Sequence, residues 1–123
     1  MSRGIRYHTD LDVWQGSKRL ALSAYRIALH FPDSEKYALA DQVKRSAASV
    51  PANIAEGCGR GTSRELIRYL RVARGSLSEL HSHLALAADL GYVPVAARTI
   101  FDEISRIHGM LNAFIGSLMR TMR

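Results

Sequence analysis

Apolar positions recur along most of this chain at steps of three and four residues. Leu66, Leu70, Ala73, Leu77, Leu80, Leu84 and Ala87 form the most regular run, and Ile100, Ile104, Ile107, Leu111, Phe114 and Leu118 form another. A third passes through Leu39, Val43, Ala47, Val50 and Ile54. Such spacing gathers apolar side chains on one face of an α-helix, and it is the seam of helices crossing at about 20° in a bundle. The first helix carries two stripes. Val13, Leu20, Ala24, Ile27 and Phe31 form one; Leu11, Trp14, Leu22, Tyr25 and Leu29 form the other, roughly 100–180° around by the 3.6-residue period. No strand alternation, internal repeat or low-complexity segment competes with helix.

Breakers and caps divide the pattern into four helices, at about residues 10–31, 34–57, 62–90 and 94–120, behind an N-terminal arm of residues 1–9. Pro32 ends the first, and Asp33 and Ser34 offer caps for the second. "CGRG" is a short loop, after which Thr62 and Glu65 have capping-box spacing. Gly91 stops the third helix and Pro94 suits the first turn of the fourth. Short connections make sequential helices antiparallel. The expected fold is all-α: one up-down-up-down four-helix bundle over residues 10–122.

Pro51 falls inside the second helical pattern. It lacks an N–H and crowds the carbonyl of Ala47, at a cost of roughly 3 kcal/mol in a helix interior. The second helix is therefore expected to kink or break near Pro51. Gln42, Ser49, Asn53 and Glu56 recur beside its apolar stripe, with Ser46 among them, and can satisfy the freed carbonyl or meet Ser76 and Glu79 on the third helix. Arg45 is a charge partner for Glu56 or Glu79, and Asn53 and Glu56 are expected to be at least half-buried and paired. Gly57, Gly59 and Gly61 end the helix and allow reversal at positive φ. They form no phosphate loop, because no strand precedes them and no Gly-Lys-Ser/Thr follows.

Charge changes the picture more than composition does. At 123 residues and 47% apolar the chain can bury one core, and its single cysteine, Cys58, excludes an internal disulfide and suits a reducing compartment. No run approaches a membrane span and the N-terminus has no apolar stretch of signal-peptide length, so a cytoplasmic location without membrane contact is expected. Seventeen basic residues, fourteen of them arginine, stand against eleven acidic ones, a net charge of +6 that favours polyanions. Arg60, Arg64, Arg68, Arg71 and Arg74 are the densest cluster, with Glu65 the only acid among them. Arg64, Arg68 and Arg71 fall within roughly a 60° arc opposite the leucine seam. A solvated helix face has this geometry; so does a row of forked guanidinium groups for phosphates.

Little else carries chemistry. His81 and His83 diverge on a helix, and Glu79 with His83 makes one incomplete ligand pair, so no metal or cofactor is expected. Cys58 has no histidine nearby to activate it. Arg74 and His81 match the arginine–histidine spacing of some four-helix-bundle ribonucleases, but His81 lies roughly 100° around the helix from Arg74, and Gly75 follows the arginine where those enzymes carry a polar residue.

"QVKRSAASVPANIAEGCGR" followed by "RYLRVARGSLSEL" resembles the motif of the four-helix-bundle family of 23S rRNA intervening-sequence proteins, whose more distant relatives are the accessory variability determinant proteins of diversity-generating retroelements. The matching positions are Gln42, Arg45, Ser49, Asn53, Ile54, Ala55, Glu56 and Gly57, then Ala73, Gly75, Ser76, Glu79 and Leu80. "DLDVWQGSKRLALSAYRI", "FP" and "LGY" also fit, and the resemblance runs from Asp10 to Leu118. It implies a bundle that assembles as a ring-like homopentamer, with nucleic acid and a reverse transcriptase bound through basic surfaces in the retroelement relatives. It brings no biochemical activity for the intervening-sequence branch.

Together these readings describe a non-catalytic, basic, homo-oligomeric bundle that docks nucleic acid, RNA or DNA, through phosphates. Its expected subunit interface joins Leu11, Trp14, Leu22, Tyr25 and Leu29 to Phe101, Ile115 and Met119 of a neighbouring copy. A scaffold for a partner protein is the alternative, with a bundle-type ribonuclease behind it.

Overall fold

The computed structural model describes residues 7–122; residues 1–6, most of the expected N-terminal arm, and residue 123 lie outside the described residues. Four helices carry the fold: α1 (Asp12–Ala28), α2 (Leu39–Gly59), α3 (Ser63–Asp89) and α4 (Ile100–Thr121). Each packs on its sequence neighbours, and α1 also packs on α4, which closes an antiparallel four-helix bundle. Short 3₁₀ turns stand before α1 (His8–Asp10), α2 (Asp33–Glu35) and α4 (Val95–Ala97). The last two occupy segments where longer helices were expected, so α2 and α4 start about one and a half turns later than the sequence pattern indicates. No described helix is long and apolar enough to cross a membrane.

The seams are the core. All seven seam residues of α3 are buried, as are the five of α2 and the first stripe of α1. In α4 the seam runs through Ile115, which is buried, while Phe114 is half-buried. Ile115 is thus a core residue and leaves the expected interface. Leu11 leaves it too, buried where the chain enters α1. Two glycines let backbones approach closely. A Cβ on Gly16 of α1 would lie 2.8 Å from Ile107 Cδ1, and one on Gly57 of α2 would lie 2.9 Å from Tyr69 Cβ.

α2 runs without interruption through Pro51, so the expected break does not form. The Asn53 amide donates to the Ser49 carbonyl at 2.8 Å, not to that of Ala47. α2 also continues through Cys58 and Gly59, and Cys58 sits half-buried against the core in its last turn, outside any loop. Of the three clustered glycines only Gly61 has positive φ, at 86°; Gly57 serves packing. At the opposite end Gly91 (φ 81°) turns the chain toward α4. Tyr92 then packs its ring on Phe31 and donates its hydroxyl to Glu35 at 3.2 Å, joining the α3–α4 and α1–α2 connections.

Candidate nucleic-acid interface

α3 begins at Thr62, whose hydroxyl accepts from the Glu65 N–H at 3.2 Å. This is half of a capping box. The Glu65 side chain turns away from the N-cap and accepts from Arg68 Nε at 2.8 Å. That bond, opposed by partial desolvation and assisted by the charges of Arg68, Arg60 and Arg64, holds the carboxyl below its usual range. The same pairing raises the Arg68 guanidinium further above neutrality.

The five expected arginines divide into three groups. Arg64, Arg68 and Arg71 come together, with Glu65, Ile67, Met119 and Met122, along one groove of about 500 Å³ between the start of α3 and the end of α4. Arg64 has no hydrogen-bond partner among the described residues, and Arg71 reaches only the Met119 sulfur, Nη2 to Sδ 3.5 Å. Arg60 lies apart at the end of α2, where Glu56 accepts from its Nε at 2.9 Å. Arg60 and Arg68 both stand over the Tyr69 ring, 5.1 and 4.6 Å from its centroid, and both donate to its hydroxyl. Arg74 turns across to α4 and donates to Asn112 Oδ1 at 2.8 Å. The Asn112 amide lies 3.2 Å from His108 Nδ1. Acidic compensation exceeds what residues 60–74 alone show, because Glu56 stands one turn before Arg60 and pairs with it.

The sequence profile of the 23S rRNA-intervening sequence protein family matches residues 9–113. The chain belongs to this family. Its fold is also similar to that of a protein of unknown function from the S23 ribosomal protein family of Bacteroides thetaiotaomicron VPI-5482, with a TM-score of 0.74 and 21% identity over 84% of this chain and 97% of the other. At that identity the likeness speaks for the fold. No curated protein matches the chain. Family membership covers the arginine row but assigns it no role.

The polar positions of the family motif are only partly brought together. Ser49 and Ser76 face each other across α2 and α3 with their hydroxyls 2.8 Å apart, and Asn53 Nδ2 donates to Ser49 Oγ at 2.9 Å. The others point elsewhere. Gln42 is exposed, Arg45 pairs with Asp41, and Glu79 lies 3.6 Å from His83 on its own helix. Glu56 is exposed and paired with Arg60, which corrects the expectation that it is buried at the α2–α3 contact with Arg45 as its partner.

The residues weighed for chemistry are not brought together. Arg74 does not line the cavity that holds His81, which packs edge-on against Phe101 at 5.5 Å. The described residues contain no cluster of three potential metal ligands, and burial pushes the Cys58 thiol up, away from the reactive thiolate.

The second stripe of α1 survives in part. Leu22, Tyr25 and Leu29 are exposed, at 48%, 42% and 78%. Trp14 is half-buried against the core, edge-on to His8, with the Lys18 ammonium 5.3 Å from its ring centroid. Phe101 is likewise packed on the core, while Met119 is exposed in the arginine groove. Sequence reasoning missed Tyr69, Asn112 and Met122 as parts of the interface. The antiparallel register of α3 on α4 can find the last two, since Arg71 meets Met119 and Arg74 meets Asn112.

Proposed function

We propose that this protein is a non-catalytic nucleic-acid-binding bundle that holds RNA or DNA by its phosphates. The observation that carries the reading is the convergence of Arg64, Arg68 and Arg71 on one groove, two of them without an acidic partner. Forked guanidinium groups suit phosphate oxygens, and contacts of this kind bind without reading sequence. Arg60 and Arg68, braced on Tyr69, extend the positive surface toward the α2–α3 turn.

The protein acts as a homo-oligomer in this reading, with Leu22, Tyr25 and Leu29 as one side of the subunit contact and a pentameric ring as the form that the family resemblance implies. A ring repeats the arginine groove and raises avidity without any new contact. Incubation with labelled RNA tests the reading. A mobility shift without cleavage is the expected result. No shift leaves a scaffold for a partner protein, and cleavage makes the protein a ribonuclease.

A further inference from the structure

The arginine groove is not only basic. Ile67 is buried at its base, while Met119 and Met122 are 44% and 51% exposed beside the guanidinium groups. Arg71 lies against the Met119 thioether. Phosphates gain nothing from this apolar surface, and a duplex leaves it in water because its bases are stacked and paired inside. A single strand presents phosphates together with unstacked bases, whose faces pack on thioether and guanidinium groups.

The groove also changes character along its length. Beyond Arg71 the α3–α4 surface becomes polar at the Arg74–Asn112 bond and His108, and a separate cavity of about 320 Å³ follows, lined by Leu77, Ser78, His81, Ile104, Ser105 and His108. From Arg64 to His81 the path covers about 26 Å of helix at 1.5 Å per residue. An amphipathic peptide helix needs apolar anchors over successive turns, and the two apolar residues of this stretch, Leu77 and Ile104, are buried among the polar ones. Base edges and sugar hydroxyls can use its amide, imidazole and hydroxyl groups.

We propose that the α3–α4 groove takes a single-stranded segment of nucleic acid, with phosphates on Arg64, Arg68 and Arg71 and a base against Met119 and Met122. The proposal rests on the phosphate-binding reading above and names the form of nucleic acid that the site prefers. Arg64 and Arg71 meet phosphate first, because Arg68 is already engaged by Glu65 and Tyr69.

The test compares short labelled oligouridylate and oligothymidylate with a duplex of equal phosphate number, at one salt concentration. Single strands are expected to bind about three- to tenfold more tightly, the contribution of a base face packed on thioether sulfur. Met119→Gln and Met122→Gln together should remove that preference, leaving duplex affinity and salt dependence unchanged; circular dichroism verifies that the variant is folded. Equal affinity for duplex and single strand, or a double variant that keeps the preference, overturns the proposal while phosphate binding stands. Failure of every oligonucleotide to bind overturns both readings. Binding of an acidic amphipathic peptide in preference to oligonucleotide overturns the choice of occupant.

Discussion

Glu65 sets how strongly the groove attracts an anion, because it is the one carboxylate among the groove's lining residues. Its bond to Arg68 depresses its pKa, so it is ionised at neutral pH and cancels part of the positive field. The sign of the linkage follows: any stability from this pair is present above the unfolded carboxylate pKa and is lost as pH falls through the lower folded value. At the surface that stability is small, and the charge matters more for binding. Glu65→Gln should therefore tighten binding to nucleic acid several-fold at low salt, an order of magnitude set by one removed repulsive charge. The difference from wild type should close as pH falls through the carboxylate range, and fluorescence anisotropy across pH measures both effects. Ser49 and Ser76 act on stability instead. Ser76→Ala should cost about 0.5–1.5 kcal/mol, and Ser49→Ala should cost less in its background than in the wild type, because the shared hydrogen bond is already gone and only the bond from Asn53 remains to be lost. Denaturant unfolding of the three variants completes the cycle.

At the scale of elements, the seams were legible because core burial and helical period leave the same imprint on a sequence. The seam residues of α3 all entered the core, and in α4 Ile115 displaced an expected neighbour. Helix starts were less legible, since Asp33–Glu35 and Val95–Ala97 satisfy helical spacing yet close as 3₁₀ turns. Of the kink or break expected at Pro51, the break does not form, since α2 continues through the proline with Val50 and Ile54 fully buried around it. The arginine row could be placed on one face from its period. Its partners on α4 could not, because Asn112 and Met122 become neighbours only through helix pairing, whereas Glu56 with Arg60 and Tyr69 with Arg68 are local pairs already present in the sequence. Gly57 shows the same limit: in sequence it resembles a helix stop, whereas in the fold it is where α2 meets α3. Gly57→Ala should lower stability by about 1–3 kcal/mol through overpacking against Tyr69 and Leu66. Thermal unfolding checks this, and an unchanged midpoint would mean that the helices separate at no cost.

For the whole molecule, the proposed assembly and the proposed binding are separable because the residues assigned to them lie on different faces. The exposed residues Leu22 and Tyr25 lie on α1 and Leu29 caps its end, whereas the arginine groove lies between α3 and α4. A head-to-tail ring brings two different patches together, so α1 should meet another face of the neighbour. Light scattering should return about five times the chain mass, and Leu22→Glu with Tyr25→Glu should lower it; a wild-type monomer at micromolar concentration would exclude the ring. The central claim concerns the groove, and its most direct measurement is the salt dependence of nucleic-acid affinity for wild type and for Arg64→Gln, Arg68→Gln and Arg71→Gln combined. Each lost phosphate contact should reduce the slope of log affinity against log salt by about 0.7–0.9, so the triple variant should bind RNA and DNA more weakly with a slope shallower by about two units. A variant with wild-type affinity and wild-type slope would contradict the account.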